Sequence, residues 1–198
     1  MIDLNAITEL HANTVQIWHQ HQIDNQYEGF LEVVCRQHQQ NFKLWHQEDI
    51  ARSPDVSDAD LARVKRSIDK LNQQRNDLIE QLDDSIIQQL NLLGVRAQPD
   101  AKPNSETPGS VIDRLSILSL RIYHMEEQAF RSDASEEHIA KAKSRLEIIY
   151  EQHRDLCHSL QDLLDDIFAG RKRMKTYRQF KMYNDPTLNP YLYQAKPK

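Results

Sequence analysis

The sequence predicts an all-α fold, an antiparallel bundle of four to five long helices followed by a basic, aromatic C-terminal tail. The main observation is an apolar series whose steps alternate between three and four, the periodicity of one face of a packed helix. This series comprises Ile139, Ala142, Leu146, Ile149, His153, Leu156, Leu160, Leu163 and Ile167. A second series comprises Leu61, Val64, Ile68, Leu71, Arg75, Leu78 and Leu82. Strand-like alternation does not persist anywhere, and only 4 of the 198 residues are glycine.

Local signals set the expected helix boundaries. The first four helices are predicted to cover residues 4–21, 27 or 30 to 51, 58–93 and 108–130. The fifth is predicted to run from a capping box at residues 133–136 to near residue 170. Pro54 ends the second helix, because proline disfavours helix at the residue before it. Gly94 suits a left-handed end of the third helix, and Thr107 with Pro108 is typical of an N-cap and first helical residue. Asp133 and Glu136 resemble a capping box for the fifth helix.

The five helices are expected to form a single domain over residues 1–198, interrupted by a long loop at residues 95–107. The fourth helix is apolar nearly all round and should be the most buried. Its main stripe comprises Val111, Leu115, Leu118, Ile122, Met125 and Ala129, and its opposite side still carries Ile112, Ile117 and Leu120.

Charge is distributed unevenly around a formal net value of −5. Residues 171–198 contain eight Lys or Arg and one Asp, so the rest of the chain is acidic. The tail can fold back onto this acidic body or bind a phosphate-rich partner through Lys175, Arg178 and Lys181. Its bases and aromatic rings can also bind single-stranded nucleic acid. Without a recognisable RNA-binding fold, however, nucleic acid is not the expected partner.

The two cysteines, Cys35 and Cys157, lie in predicted helices and form no metal or redox motif, so we expect buried free thiols. The N-terminal residues lack the features of a signal peptide. No stretch approaches the ~18 apolar residues of a membrane span. These observations favour a cytoplasmic protein with no membrane span.

Two ionisable side chains, Arg75 and His153, interrupt the apolar series and are expected at roughly one depth in the bundle. A buried guanidinium needs a carboxylate, which Asp113, Asp49 or Glu48 could supply. The resulting polar layer either fixes helix register or forms a cleft for a small anionic ligand, unless these groups are simply exposed. The candidates for this layer or ligand site are Glu48, Asp49, Asp69, Asn72, Arg75, Asp77, Asp113, Arg114, His124 and His153.

Metal motifs are weak, and the sequence predicts neither a metal site nor a cofactor. His124-x-x-Glu127 and Asp155-x-x-His158 each place two ligand types one turn apart, a spacing that nine histidines produce by chance. The paired Glu-x-x-His motifs of ferritin-like diiron sites are absent. The alternative function is that of a divalent-metal-dependent enzyme acting on a phosphorylated metabolite or nucleotide. In that case Arg75 or Arg114 would bind the phosphate. The metal ligands of this enzyme would be Glu48, Asp49, Asp77, Glu80 and Asp113.

Several stretches together carry a family resemblance. They are residues 45–52, 65–78, 106–109 with 112–118, 122–125 and the distinctive Lys181-Met182-Tyr183-Asn184-Asp185-Pro186-Thr187-Leu188-Asn189-Pro190. The chain resembles the bacterial family called domain of unknown function 4254, from about residue 27 onward. The resemblance implies a soluble helical protein without an established activity, and a loose association with cell-envelope glycan gene clusters. It points to the same candidate residues, His153 excepted.

The leading hypothesis is a cytoplasmic helical binding or accessory protein rather than an enzyme. A homodimer is plausible, because long apolar seams readily extend across subunits. The two functions make different structural predictions. An enzyme of the alternative class requires at least three carboxylates converging beside an open cavity. The binding hypothesis predicts carboxylates already paired with Arg75, Arg114 and His153, and no cavity beside them.

Overall fold

A computed structural model describes residues 2–194 of the chain. Five long helices dominate it: α1 (Leu4–Gln20), α2 (Gly29–Ala51), α3 (Asp58–Leu92), α4 (Pro108–Ala129) and α5 (Glu136–Phe168). Two short strands, β1 (Lys102–Pro103) and β2 (Lys172–Arg173), pair in parallel, and a 3-10 turn (Met182–Asn184) precedes a one-turn helix, α6 (Pro190–Tyr193). The predicted all-α class is therefore confirmed.

Side-chain caps explain where α4 and α5 begin. The Thr107 hydroxyl accepts from the backbone of Ser110 and the Ser110 hydroxyl from that of Thr107, a reciprocal box that confirms the predicted start of α4. For α5, the predicted box at Asp133 is wrong. Ser135 is the cap, because its hydroxyl lies 3.2 Å from the amide of His138, whereas Asp133 pairs with Arg131.

Packing of the helices places α4 at the centre, in contact with each of the other four long helices. Eleven of its 22 residues are buried, more than in any other helix, as its two apolar sides predict. The α2 helix packs along α3, and α5 packs along α4. The fully buried core includes Ile7, Leu82, Ile86, Ile112, Leu115 and Leu160.

Backbone hydrogen bonds connect the long loop to the C-terminal tail. The amide of Gln98 donates to the carbonyl of Gly170 at 2.9 Å, and β1 in the loop pairs with β2 in the tail. The tail then passes along α3, where Arg178 makes ion pairs with Glu80 and Asp84. Residues 195–198, the last part of the basic tail, and residue 1 lie outside the described residues.

The structure also bears on the two cysteines and on membrane-spanning segments. Cys35 is a buried free thiol and Cys157 a half-buried one. Of the helices within residues 2–194, none combines the length and the apolarity that a membrane crossing requires.

Candidate functional site

An ion pair between α3 and α4 forms the centre of the polar layer. The Nε of Arg75 donates to Oδ1 of Asp113 at 2.7 Å, and Nη2 donates to Oδ2. The Asp113 side chain is 6% exposed and that of Arg75 is 25% exposed. Two parallel charge-assisted hydrogen bonds fix both the position and the plane of the guanidinium. The hydrogen bond to Asp113 raises the pKa of Arg75, which favours its charged form.

Side chains of α2 complete the hydrogen bonding of this pair. Gln37 and Asn41 both donate to Oδ1 of Asp113, the latter at 3.0 Å. Asn41 also donates to the hydroxyl of Ser116 at 2.8 Å, and Nδ1 of His38 lies 2.6 Å from the same oxygen. Burial lowers the pKa of His38 to about 3, so this histidine is neutral. The network joins three helices with its ionic charges balanced.

A groove of about 360 Å³ opens beside the ion pair, between α2, α3 and α4. The expectation that a binding protein would have no cavity beside its paired carboxylates is therefore wrong. Its lining combines apolar side chains with polar ones: Asn41, Leu44, Trp45, Glu48, Asp49, Arg52, Asn72, Arg75, Ile117 and Leu120. Among residues 2–194, the remaining guanidinium nitrogen, Nη1 of Arg75, has only Oδ1 of Asn72 as a hydrogen-bond partner, at 3.5 Å. Five of the sequence-predicted candidates therefore meet at this site, namely Glu48, Asp49, Asn72, Arg75 and Asp113.

The other candidates lie elsewhere. Asp69 pairs with Lys65, Asp77 accepts from Gln73, and Arg114 pairs with Glu106 at 2.7 Å. His153 lines a different groove, between α1, α4 and α5, where its Nδ1 lies 3.7 Å from the sulfur of Cys157. In the tail, Arg178 and Lys181 contact α3, the lysine through the Asn72 carbonyl at 3.2 Å, whereas Lys175 lies over the ring of Tyr177.

A cluster of three histidines lies at another point between the helices. His19 of α1, His46 of α2 and His124 of α4 each offer one ring nitrogen, and these nitrogens all lie within 4.8 Å of one another. Within residues 2–194, no other group of three or more histidine, cysteine or carboxylate side chains is arranged in this way. Of these three histidines, only His124 is among the candidates predicted from the sequence. The only local signal is that Trp18-His19-Gln20 and Trp45-His46-Gln47 repeat one tripeptide.

Aromatic rings hold the three imidazoles in place. The His19 ring stacks on Tyr123, with centroids 4.0 Å apart, and the His124 ring stacks on Trp45 at 4.7 Å. Phe42 makes edge contacts with both His19 and His46. Burial lowers the pKa of His46, and the neighbouring imidazoles of His19 and His124 lower it further. Since Trp45 also lines the groove of Arg75, one indole is shared by both sites.

These features define an all-α protein with a charge-balanced polar site between three of its helices. Over residues 31–176 the chain matches the family described as protein of unknown function (DUF4254), and it belongs to that family. This confirms the resemblance found in the sequence. The matched region contains Arg75, Asp113, His46 and His124, whereas His19 precedes it. No curated protein and no solved structure matches the chain.

Proposed function

We propose that this protein binds a small polyhydroxylated anion, of the sugar phosphate class, in the groove beside Arg75. The proposal depends on the hydrogen bonding of the Arg75 guanidinium. Asp113 fixes its position with two hydrogen bonds, while among the described residues Nη1 has a single long contact, to Asn72. A donor held rigid before the ligand arrives loses little conformational entropy on binding, which favours affinity.

Apart from Glu48, Asp49 and Arg52, of which Glu48 is neutralised by its ion pair with Arg52, the remaining lining suits a ligand with both a ring and hydroxyl groups. Leu44, Ile117 and Leu120 supply apolar surface and Trp45 supplies an aromatic ring. The amides of Asn41 and Asn72 can donate or accept hydrogen bonds. Small-molecule sites combine such apolar walls with a few placed polar groups, and a groove of about 360 Å³ is within their usual size range.

The carboxylate-metal alternative has less support. Asp113 is engaged by Arg75, Glu48 by Arg52 and Glu80 by Arg178. These three carboxylates are therefore directed to three different arginines rather than to one point. The proposed function is accordingly binding, in the cytoplasm of a bacterium, with an accessory role in cell-envelope glycan metabolism. The expected homodimer remains a prediction, which sedimentation velocity of the intact chain would test.

Thermal shift and calorimetry on the untagged full chain test the binding proposal. The panel comprises hexose 1- and 6-phosphates, the neutral hexoses and inorganic phosphate. A specific ligand raises Tm by mass action. We expect at least one sugar phosphate to raise Tm more than either of its parts does. The proposal is wrong if sugar phosphates have no greater effect than inorganic phosphate.

A variant pair locates the site. The double substitution Arg75→Met with Asp113→Asn removes the anchoring guanidinium without leaving a buried carboxylate unpaired, and it should weaken sugar phosphate binding by more than tenfold. Arg114→Met is the matched control, because Arg114 lies on the same helix as Asp113 but pairs with Glu106 outside the groove. Equal losses in both variants would contradict the assignment of the groove.

A further inference from the structure

We propose that His19, His46 and His124 bind a divalent transition-metal ion of the zinc class. This inference does not rest on the proposed sugar phosphate site, since it concerns different side chains. The three histidines come from three different helices, α1, α2 and α4, and their side chains converge. Their candidate ligand nitrogens lie within 4.8 Å of one another. Tetrahedral zinc with Zn–N bonds of about 2.0–2.1 Å places its nitrogens about 3.4 Å apart. Binding of the ion would therefore bring each pair of nitrogens closer by no more than about 1.4 Å.

The hydrogen bonds of two of the rings select the nitrogens that would face the ion. Nδ1 of His19 lies 2.6 Å from the carbonyl oxygen of Val15, which can only accept, so the proton of the neutral ring is on Nδ1. Nδ1 of His124 lies 2.8 Å from a carboxylate oxygen of Glu127. In both rings Nε2 is therefore left as an electron-pair donor. Metal-binding histidines commonly donate their second N–H to a carbonyl or carboxylate in this manner.

The same two Nε2 atoms are buried and have no hydrogen-bond partner among the described residues. A buried polar nitrogen without a partner destabilises the folded state by about 1–3 kcal/mol. Two such atoms at one point, next to a third imidazole, are better explained by a shared ligand than by packing alone. When the two rings are neutral with their protons on Nδ1, hydrogen bonding between them cannot satisfy both Nε2 atoms, because each of these atoms can then only accept.

The ligand set identifies the class of ion. Imidazole nitrogen suits zinc and its first-row neighbours, whereas calcium and magnesium prefer oxygen ligands. Three protein ligands leave one tetrahedral position for water or another small ligand, the arrangement found in catalytic rather than structural zinc sites. The side chain of His46 is 38% exposed, so solvent can reach the cluster. Asp49, whose Oδ2 lies 3.9 Å from Nδ1 of His46, is close enough to contact a bound water or to orient this ring after a small shift.

The test uses the untagged full chain after chelator treatment, titrated with Zn²⁺ alone by calorimetry and with Co²⁺ alone by visible absorption. We expect one ion per chain and the d–d bands of four-coordinate cobalt. His19→Asn, His46→Asn and His124→Asn should each reduce Zn²⁺ affinity more than 100-fold. The control is His158→Asn, which removes an exposed histidine of α5 and should leave affinity unchanged.

A milder variant keeps the proposal falsifiable if a ligand substitution disturbs the fold. Glu127→Gln alters only the carboxylate beside His124, on a side chain that is 50% exposed, and should lower affinity by about 10- to 100-fold. Far-UV circular dichroism checks the helix content of every variant. The proposal is overturned if the parent chain takes up less than one ion. It is also overturned if cobalt shows no four-coordinate bands, or if the His46 and His158 variants bind Zn²⁺ equally.

Discussion

The indole of Trp45 lies nearly parallel to the imidazole of His124, with centroids 4.7 Å apart and an interplanar angle of 9°. Trp45 also lines the groove that contains Arg75, so one side chain borders both proposed sites. This follows from the helical spacing of α4, because Leu120 in the groove and His124 in the cluster are separated by about one turn. The two sites are therefore physically linked through a single aromatic ring.

Removing this ring should affect both sites. Trp45→Ala is expected to weaken sugar phosphate binding, because the groove loses its aromatic wall, and to weaken Zn²⁺ binding, because the His124 ring loses its stacking partner. Calorimetric titration of the variant with each ligand separately measures the two effects. Trp45→Phe is the matched control and should retain most of both affinities. If Trp45→Ala alters neither affinity, the indole is only part of the packing.

The Arg75–Asp113 pair predicts a non-additive effect on stability. Arg75→Met alone leaves a buried carboxylate without its cation, and we expect a loss of about 3 kcal/mol in the free energy of unfolding. The donors from Gln37 and Asn41 and the partial exposure of Arg75 place this value at the lower end of the range for buried pairs.

Neutralising the partner should restore most of that loss. In the Arg75→Met, Asp113→Asn double variant, the asparagine keeps an oxygen that can accept from Asn41, and no unpaired charge remains. Urea unfolding of the parent, both single variants and the double variant gives the coupling energy directly. Additive single effects would show that the two side chains contribute independently.

Acidification should destabilise the fold through two buried histidines, His11 and His38. Burial lowers the pKa of His38 to about 3, and burial together with the neighbouring histidines holds the pKa of His11 well below its usual value of 6.5. The unfolded chain takes up both protons near pH 6.5, whereas the folded chain does not. Stability is therefore fully present above pH 6.5 and falls below it, by about 1.4 kcal/mol per pH unit for each histidine.

Asp83 opposes this trend over part of the range. Burial raises the pKa of its carboxyl to about 6, so the folded state binds that proton more readily than the unfolded chain and gains stability as pH falls below 6. Urea unfolding between about pH 7.5 and 4.5 measures the net slope, because this range includes the histidine pKa of about 6.5 in the unfolded chain and the raised pKa of Asp83. His38→Asn should reduce the slope by about one proton. An unchanged slope in this variant would mean that His38 is not the group responsible.

The sequence predicts those parts of this molecule that depend on local spacing. The alternation of threes and fours in two apolar series is sufficient to identify α3 and α5, and a guanidinium in the seam of α3 predicts a buried acidic partner. Choosing among Asp113, Asp49 and Glu48 requires the rotation of α2 and α4 about their axes. The structure shows that Asp113 is the partner and that Asp49 and Glu48 line the rim beside it.

The histidine cluster cannot be predicted from the spacing of residues within one helix. Metal motifs are recognised when two ligands lie one turn apart on one helix, whereas here each helix contributes one imidazole. His124 and Glu127 do show the one-turn spacing, but the glutamate contacts Nδ1 of the histidine rather than offering a second ligand. For His153, the spacing within one helix correctly indicates partial burial but does not show which neighbouring residues it meets. Its place in the apolar series of α5 indicates burial, yet it lines a groove on another side of α4 from Arg75.

The crossing of α3 and α4 predicts one further stability effect, at Gly109. A Cβ atom at this position would lie 2.6 Å from the carbonyl oxygen of Ile79 and 2.7 Å from Oδ1 of Asp83. The carbonyl belongs to helix backbone, and the carboxylate already accepts the amide of Gly109 at 2.7 Å, so neither can move aside without losing other bonds. Gly109→Ala should therefore push the helices apart and reduce the free energy of unfolding by about 1–3 kcal/mol. Ser105→Ala, in the exposed loop four residues earlier, is the control and should change it by less than about 0.5 kcal/mol. If Gly109→Ala is as stable as the control variant in urea, α3 and α4 do not approach each other this closely in solution.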